Sequence, residues 1–231
     1  MGHWWVSDLL SAQGGQAILV AWVFWVITSI TLHELSHGWM AIRCGDDTPI
    51  YSGHMTWNPL VHMGPTSLIM FLLVGIAWGA MPVDPSRLRK TRHEAYVAFA
   101  GPAMNLLLFA LCVVLCALAT RLKISAGLQG GSVDAYRKTH MFFYYGAILN
   151  LVLAAFNMLP VPPLDGWRVL STLVPAYRRL FDSEQVVIVA MILFAVLFFQ
   201  GSSLIMSMAH DVVGPTEDVL VRLMGGGPPP P

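Results

Sequence analysis

His33 and His37 stand four residues apart, with Glu34 directly after the first, in the run Thr31-Leu32-His33-Glu34-Leu35-Ser36-His37-Gly38-Trp39. On a helix, residues four apart share one face, one turn above the other, so both imidazoles can reach a single zinc ion. Glu34 can then act as general base on water at that zinc. The alternative is that His33 and His37 are packed helix residues and the match is accidental, which is the common case in a soluble chain. Here the pattern closes an apolar helix that begins near Ala17, with Thr28 the one polar residue between Ile18 and Ser29. Histidine and glutamate are costly inside a membrane span and are functional there by default.

A hydrolytic zinc keeps three protein ligands and an open position, so a third donor is required. Asp165 is the candidate. It follows Pro160, Pro162 and Pro163, which prevent regular helix, and precedes Gly166, which permits close backbone approach. Its competing role is to N-cap a helix beginning at Trp167. His54 and His62 are rival ligands or pocket residues, or simply interfacial histidines. Asn157 lies eight residues before Asp165. Its amide could hold a substrate backbone or donate to an oxyanion, or it could bond between helices. Asn105 reads as packing glue, beside a Gly101-Pro102 pair that lets helices approach.

The elements that must carry these residues are membrane helices. Of 231 residues, 56% are hydrophobic and 11% charged, where a soluble domain carries about a quarter charged residues. The mean hydropathy is +0.63. A net charge of zero points away from nucleic acid. The three cysteines form no metal spacing; Cys112 and Cys116, one turn apart in an apolar run, read as core packing. A cleaved signal peptide is rejected, because its removal would take the first apolar run and the histidines with it.

Spans are expected at 17–43, 95–120, 141–159 and 186–206, with the run 64–81 spanning or re-entering. The alternating, aromatic and β-branched stretch 50–57 predicts a short strand or hairpin. The expected fold is therefore an all-α polytopic membrane protein of five or six embedded helices, with a β-strand or hairpin loop after the first span. One membrane-embedded domain is expected over 1–208, followed by a flexible Gly/Pro-rich tail at 209–231.

Three signatures occur in a telling order: HELSH at 33–37, GPAMN at 101–105 and NMLPVPPLDGW at 157–167. With them the chain resembles the site-2 protease family of intramembrane zinc metalloproteases, and most closely its compact bacterial and archaeal subgroup without a PDZ insertion. The resemblance covers roughly residues 17–175 and includes GHMTWNPLVHMGP from Gly53 and PVDPSRLR from Pro82. Two departures are His62-Met63-Gly64-Pro65, without the acidic residue expected before the proline, and Met81 in place of a common lysine. The resemblance implies that His33, His37 and Asp165 bind one zinc per chain, that Glu34 is catalytic, and that Asn157 assists. It also implies cleavage of transmembrane protein substrates by a multi-pass protein of the bacterial plasma membrane. Two rival functions are a catalytically inactive homologue that binds membrane proteins and a zinc permease. The permease would need further intramembrane ligands along a path.

Overall fold

The computed structural model describes residues 5–11, 14–127, 129 and 131–225. Its elements are α-helices: α1 (Trp5–Ser11), α2 (Gly15–Cys44), α3 (Thr48–Tyr51), α4 (Pro59–Val74), α5 (His93–Ala126), α6 (Gly131–Asn157), α7 (Asp165–Leu173), α8 (Pro175–Arg179) and α9 (Glu184–Leu223), with one 3-10 turn at Pro85–Arg87. Three of them, α2, α5 and α6, are long and apolar enough to cross a membrane. Pro59–Val74 and Glu184–Val196 are apolar but shorter. Large apolar side chains stand outward on the long helices, Val20 at 65% exposure and Leu107 at 62% among them. Such a surface suits lipid rather than water, and the chain is an integral membrane protein.

Three expectations are corrected. Five or six transmembrane or membrane-embedded helices were expected, and among the described residues three are long and apolar enough to span, beside two shorter apolar ones. The expected strand at 50–57 does not form, and no strand occurs among the described residues. Pro49 opens α3 at its first turn, where its missing N–H costs nothing. Gly53, at φ +71°, closes it, with its N–H on the Ile50 carbonyl at 3.0 Å and that of His54 on Pro49 at 3.0 Å. Alternation without a partner strand lost to a proline start and a left-handed glycine stop. The tail expected to be flexible from 209 is instead helical through Leu223, while residues 226–231 lie outside the described residues. Ala209, Val213, Glu217 and Val221 recur every fourth residue and are all buried, so the stripe binds the helix despite Gly214 and Pro215.

The chain divides into two compact units: Met1–Ile27, Leu106–Val152 and Leu204–Pro231 form unit 1; Thr28–Asn105 and Leu153–Ser203 form unit 2. Within unit 2, α2 ends at Gly45 (φ +107°), where the Asp46 N–H returns to the Ala41 carbonyl at 2.9 Å. The apolar run expected to continue to 81 stops as helix at Val74, because Gly75 turns left-handed at φ +78°. The next stretch, 75–84, is irregular but tethered. Ser67 Oγ donates to the Trp78 carbonyl at 2.7 Å and accepts from the Trp78 N–H at 2.8 Å. The Ala80 N–H donates to the His62 carbonyl at 2.9 Å.

Fully buried Asp46 ties the end of this stretch to the end of α2. Its carboxylate accepts from the Thr48 N–H (2.9 Å), the Thr48 hydroxyl (2.5 Å) and the Asp84 N–H (2.7 Å). Asp46→Ala leaves those donors without their acceptor and should cost on the order of 2–3 kcal/mol. The expected outcome is a lower thermal midpoint in detergent; a midpoint unchanged from the parent would show that the tie carries no stability.

Candidate metal centre

α2 presents His33, Glu34 and His37 from its second half, all three buried. Helical periodicity puts the two imidazoles on one face, and their Nε2 atoms lie 3.0 Å apart. Asp165 joins them from α7: its Oδ2 is 3.1 Å from His33 Nε2 and 3.3 Å from His37 Nε2. Among the described residues of unit 2, these three are the group that could hold a metal ion.

The tautomers follow from the outer partners. His33 Nδ1 lies 2.6 Å from Asn105 Oδ1, and His37 Nδ1 lies 2.7 Å from the Val97 carbonyl. A carbonyl can only accept, so each Nδ1 carries the proton and donates, which leaves both Nε2 lone pairs aimed inward. Two imidazole lone pairs and a carboxylate oxygen within 3.3 Å make a donor set that calls for a cation.

Clearance at this point comes from glycines. A Cβ on Gly101 would lie 2.4 Å from His37 Nε2 and 2.5 Å from His33 Nε2, so α5 has an opening directly against the donor atoms. A Cβ on Gly79 would lie 2.6 Å from Glu34 Cγ and Oε1, so the tethered 75–84 stretch runs against the glutamate. Asp165 depends on a third glycine. A Cβ on Gly166 would strike the Met158 carbonyl oxygen at 2.2 Å, so only glycine lets the first turn of α7 rest on the chain leaving α6. Asp165 does not cap α7; Leu164 occupies the N-cap position and Asp165 is the first helical residue.

The structure thus brings together His33, His37 and Asp165, with Glu34 in the same buried turn. It treats the others differently. Asn157 Nδ2 donates to the Leu153 carbonyl of its own helix at 3.0 Å. His62 is buried with Nε2 donating to the Thr56 carbonyl at 2.7 Å, and His54 bonds the Ser52 carbonyl of its own turn at 3.0 Å. Asn105, expected to be packing glue, is the partner that orients His33. The four-residue spacing of Val97, Gly101 and Asn105 is the one signal that would have placed all three on the face opposite the histidines.

The model of peptidase family M50 matches residues 21–200. The chain belongs to peptidase family M50. Its relatives carry provisional names as zinc metalloproteases. YwhC of Bacillus subtilis is 38% identical over 161 residues, spanning 66% of this chain and 68% of YwhC. Rip2 of Mycobacterium tuberculosis is 29% identical over 177 residues, 70% of this chain and 62% of Rip2. MJ0611 of Methanocaldococcus jannaschii is 29% identical over 139 residues, 60% of this chain and 63% of MJ0611. The chain therefore spans somewhat under two thirds of the mycobacterial and archaeal relatives. No solved structure matches.

Two substitutions separate the metal from the glutamate. Asn105→Ala removes the acceptor that orients His33 and should weaken zinc affinity roughly 10–100-fold, read by chelator competition. Gly79→Ala should leave that affinity unchanged while displacing Glu34 and slowing turnover. Equal zinc affinity in Asn105→Ala and the parent would remove Asn105 from the centre.

Proposed function

We propose that this M50 member is a zinc-dependent intramembrane endopeptidase that hydrolyses peptide bonds of transmembrane-segment substrates. The observation that carries the reading is the meeting of His33 Nε2, His37 Nε2 and Asp165 Oδ2 within 3.3 Å, with Glu34 beside His33 on the same helix. One soft-to-borderline imidazole pair and one carboxylate suit zinc, and the Gly101 opening leaves the donor atoms unobstructed. Zinc held by these three residues supplies Lewis acidity for a scissile carbonyl and acidifies water toward neutral pH.

The chain's own residues do the rest. Glu34 takes a proton from the attacking water and later returns it to the leaving amine, as a general base and then a general acid. Gly79 keeps the backbone of the 75–84 stretch close to that carboxylate without crowding it. Asn105 and the Val97 carbonyl hold the two imidazoles in the Nδ1–H tautomer throughout. Asn157, in this reading, assists from the end of α6 by releasing its own-helix bond to Leu153 and donating to substrate. The site sits in an integral membrane chain, and in this reading its substrates are membrane-spanning segments of the bacterial plasma membrane. A substrate helix hides its carbonyls in its own hydrogen bonds and must unwind locally before cleavage.

The test uses the full chain in detergent with a model transmembrane peptide. Glu34→Gln should keep its zinc and lose about 10²–10⁴-fold or more in turnover. Cleavage within tenfold of the parent would remove Glu34 from the role of base. Asp165→Ala should lose most zinc and all turnover, whereas His62→Ala should keep its metal. The reverse pattern in those two variants would overturn the ligand set. A parent protein that holds zinc, binds the peptide and never cleaves it would make the chain a membrane-protein-binding homologue instead.

A further inference from the structure

A second convergence of metal-ligating side chains lies in unit 1 and shares no residue with the first. Cys116 comes from α5, His140 from α6 and Glu217 from α9, with their ligand atoms all within 4.8 Å of one another. Cys116 is fully buried and Glu217 is 7% exposed. His140 Nε2 lies 2.9 Å from Glu217 Oε1 and 3.0 Å from Oε2. None of these residues has a part in the chemistry above.

The outer contacts fix two of the three donors in place. Thr120 Oγ1 donates to Glu217 Oε1 at 2.7 Å, and the Tyr136 hydroxyl bonds Thr120 Oγ1 at 3.1 Å. The His140 ring stacks on Tyr144, one turn later, at 5.7 Å and 21°. It leans on Tyr136, one turn earlier, at 5.6 Å and 42°. Tyr144 is in turn held by His210, whose Nδ1 lies 3.0 Å from the phenol oxygen. A ligating carboxylate is usually hydrogen-bonded from outside, as Glu217 is by Thr120.

A His–Glu ion pair needs no third donor, yet the Cys116 sulfur joins it from a separate helix. The one described bond of that sulfur is a long one, 3.7 Å to the His140 carbonyl. The neighbouring cysteine does not share the arrangement: a Cβ on Gly146 would lie 2.9 Å from Cys112 Sγ, so Cys112 is turned to Gly146. We propose that Cys116, His140 and Glu217 form a second metal site, of the zinc type, that clasps α5, α6 and α9 together within unit 1.

The donor chemistry selects the ion. A thiolate with an imidazole and a carboxylate suits zinc or cobalt and not magnesium or calcium. Zinc bonds of about 2.0 Å to nitrogen and oxygen place those two atoms about 3.3 Å apart at tetrahedral angles, so the His140–Glu217 pair opens by a few tenths of an ångström. Cys116 swings in to complete three protein bonds, and water takes the fourth position. Binding releases the thiol proton and the proton shared by His140 and Glu217 to solvent.

Metal counting on the full chain in detergent, after equilibration with zinc and removal of the excess, tests this. The parent should hold about two zinc ions per chain. A His33→Ala/His37→Ala double variant should hold about one, and Cys116→Ser should hold about one while still cleaving a transmembrane peptide. Cobalt substitution adds a signature that the first centre cannot give, since its donors are nitrogen and oxygen only. A thiolate-to-cobalt charge-transfer band should appear in the parent and in the double histidine variant, and vanish in Cys116→Ser. One zinc in the parent, none in the double histidine variant and no thiolate band would reduce the cluster to a His140–Glu217 ion pair. Should Cys116→Ser fail to fold, the count and the band in the double histidine variant decide by themselves.

Discussion

Everything at the candidate centre depends on where two protons are held. An imidazole offers a metal its Nε2 lone pair only when the proton resides on Nδ1, and that choice is made by whatever accepts from Nδ1. Asn105 Oδ1 and the Val97 carbonyl make it here, and both belong to α5. The histidines are supplied by α2, but their tautomers are set by another helix. The pairing of α2 with α5 is therefore a chemical constraint as well as a packing one. A slip of α5 by one residue would move the Asn105 amide from His33 and fill the Gly101 opening with a side chain.

The second constraint is clearance. Gly79, Gly101 and Gly166 lie far apart in sequence, yet each stands where a single methyl group would collide with the site or its support. At Gly79 and Gly101 the collision is with polar side chains, Glu34 and the two histidines; at Gly166 it is with the backbone of Met158 and Leu159. Polar groups buried among apolar helices need partners at bonding distance, and close approach of backbone supplies them. The apolar packing nearby is ordinary: Ala41, Cys44 and Val97 form a buried cluster with Met40, Val83 and Leu88 at its edge.

Much of this was legible in the residues. The helices α2, α5 and α6 announce themselves by length and apolarity. Helical spacing singles out the histidine pair, and the proline run makes Asp165 the candidate third donor. The misread parts share a cause: they depend on partners that sequence spacing does not show. Residues 50–57 alternate like a strand, but a strand needs a neighbour and none is present among the described residues. Residues 209–223 look like the start of a solvated tail, but a buried stripe of Ala209, Val213 and Val221 outweighs one glycine and one proline. Asn105 looks like any small polar residue in a span until His33 is placed opposite it. Asn157 shows the converse, since it lies near Asp165 in sequence while its amide bonds its own helix.

The position of Asp165 along the chain has a consequence in time. It follows His37 by 128 residues. At a synthesis rate of roughly 5–20 residues per second, the helix carrying the two histidines and Glu34 leaves the ribosome about 6–26 s before the aspartate does. On the proposed ligand set, the nascent chain passes that interval in the membrane with a catalytic glutamate and only two of its three metal ligands. On the proposed function, the centre is therefore incomplete until most of the chain has been made.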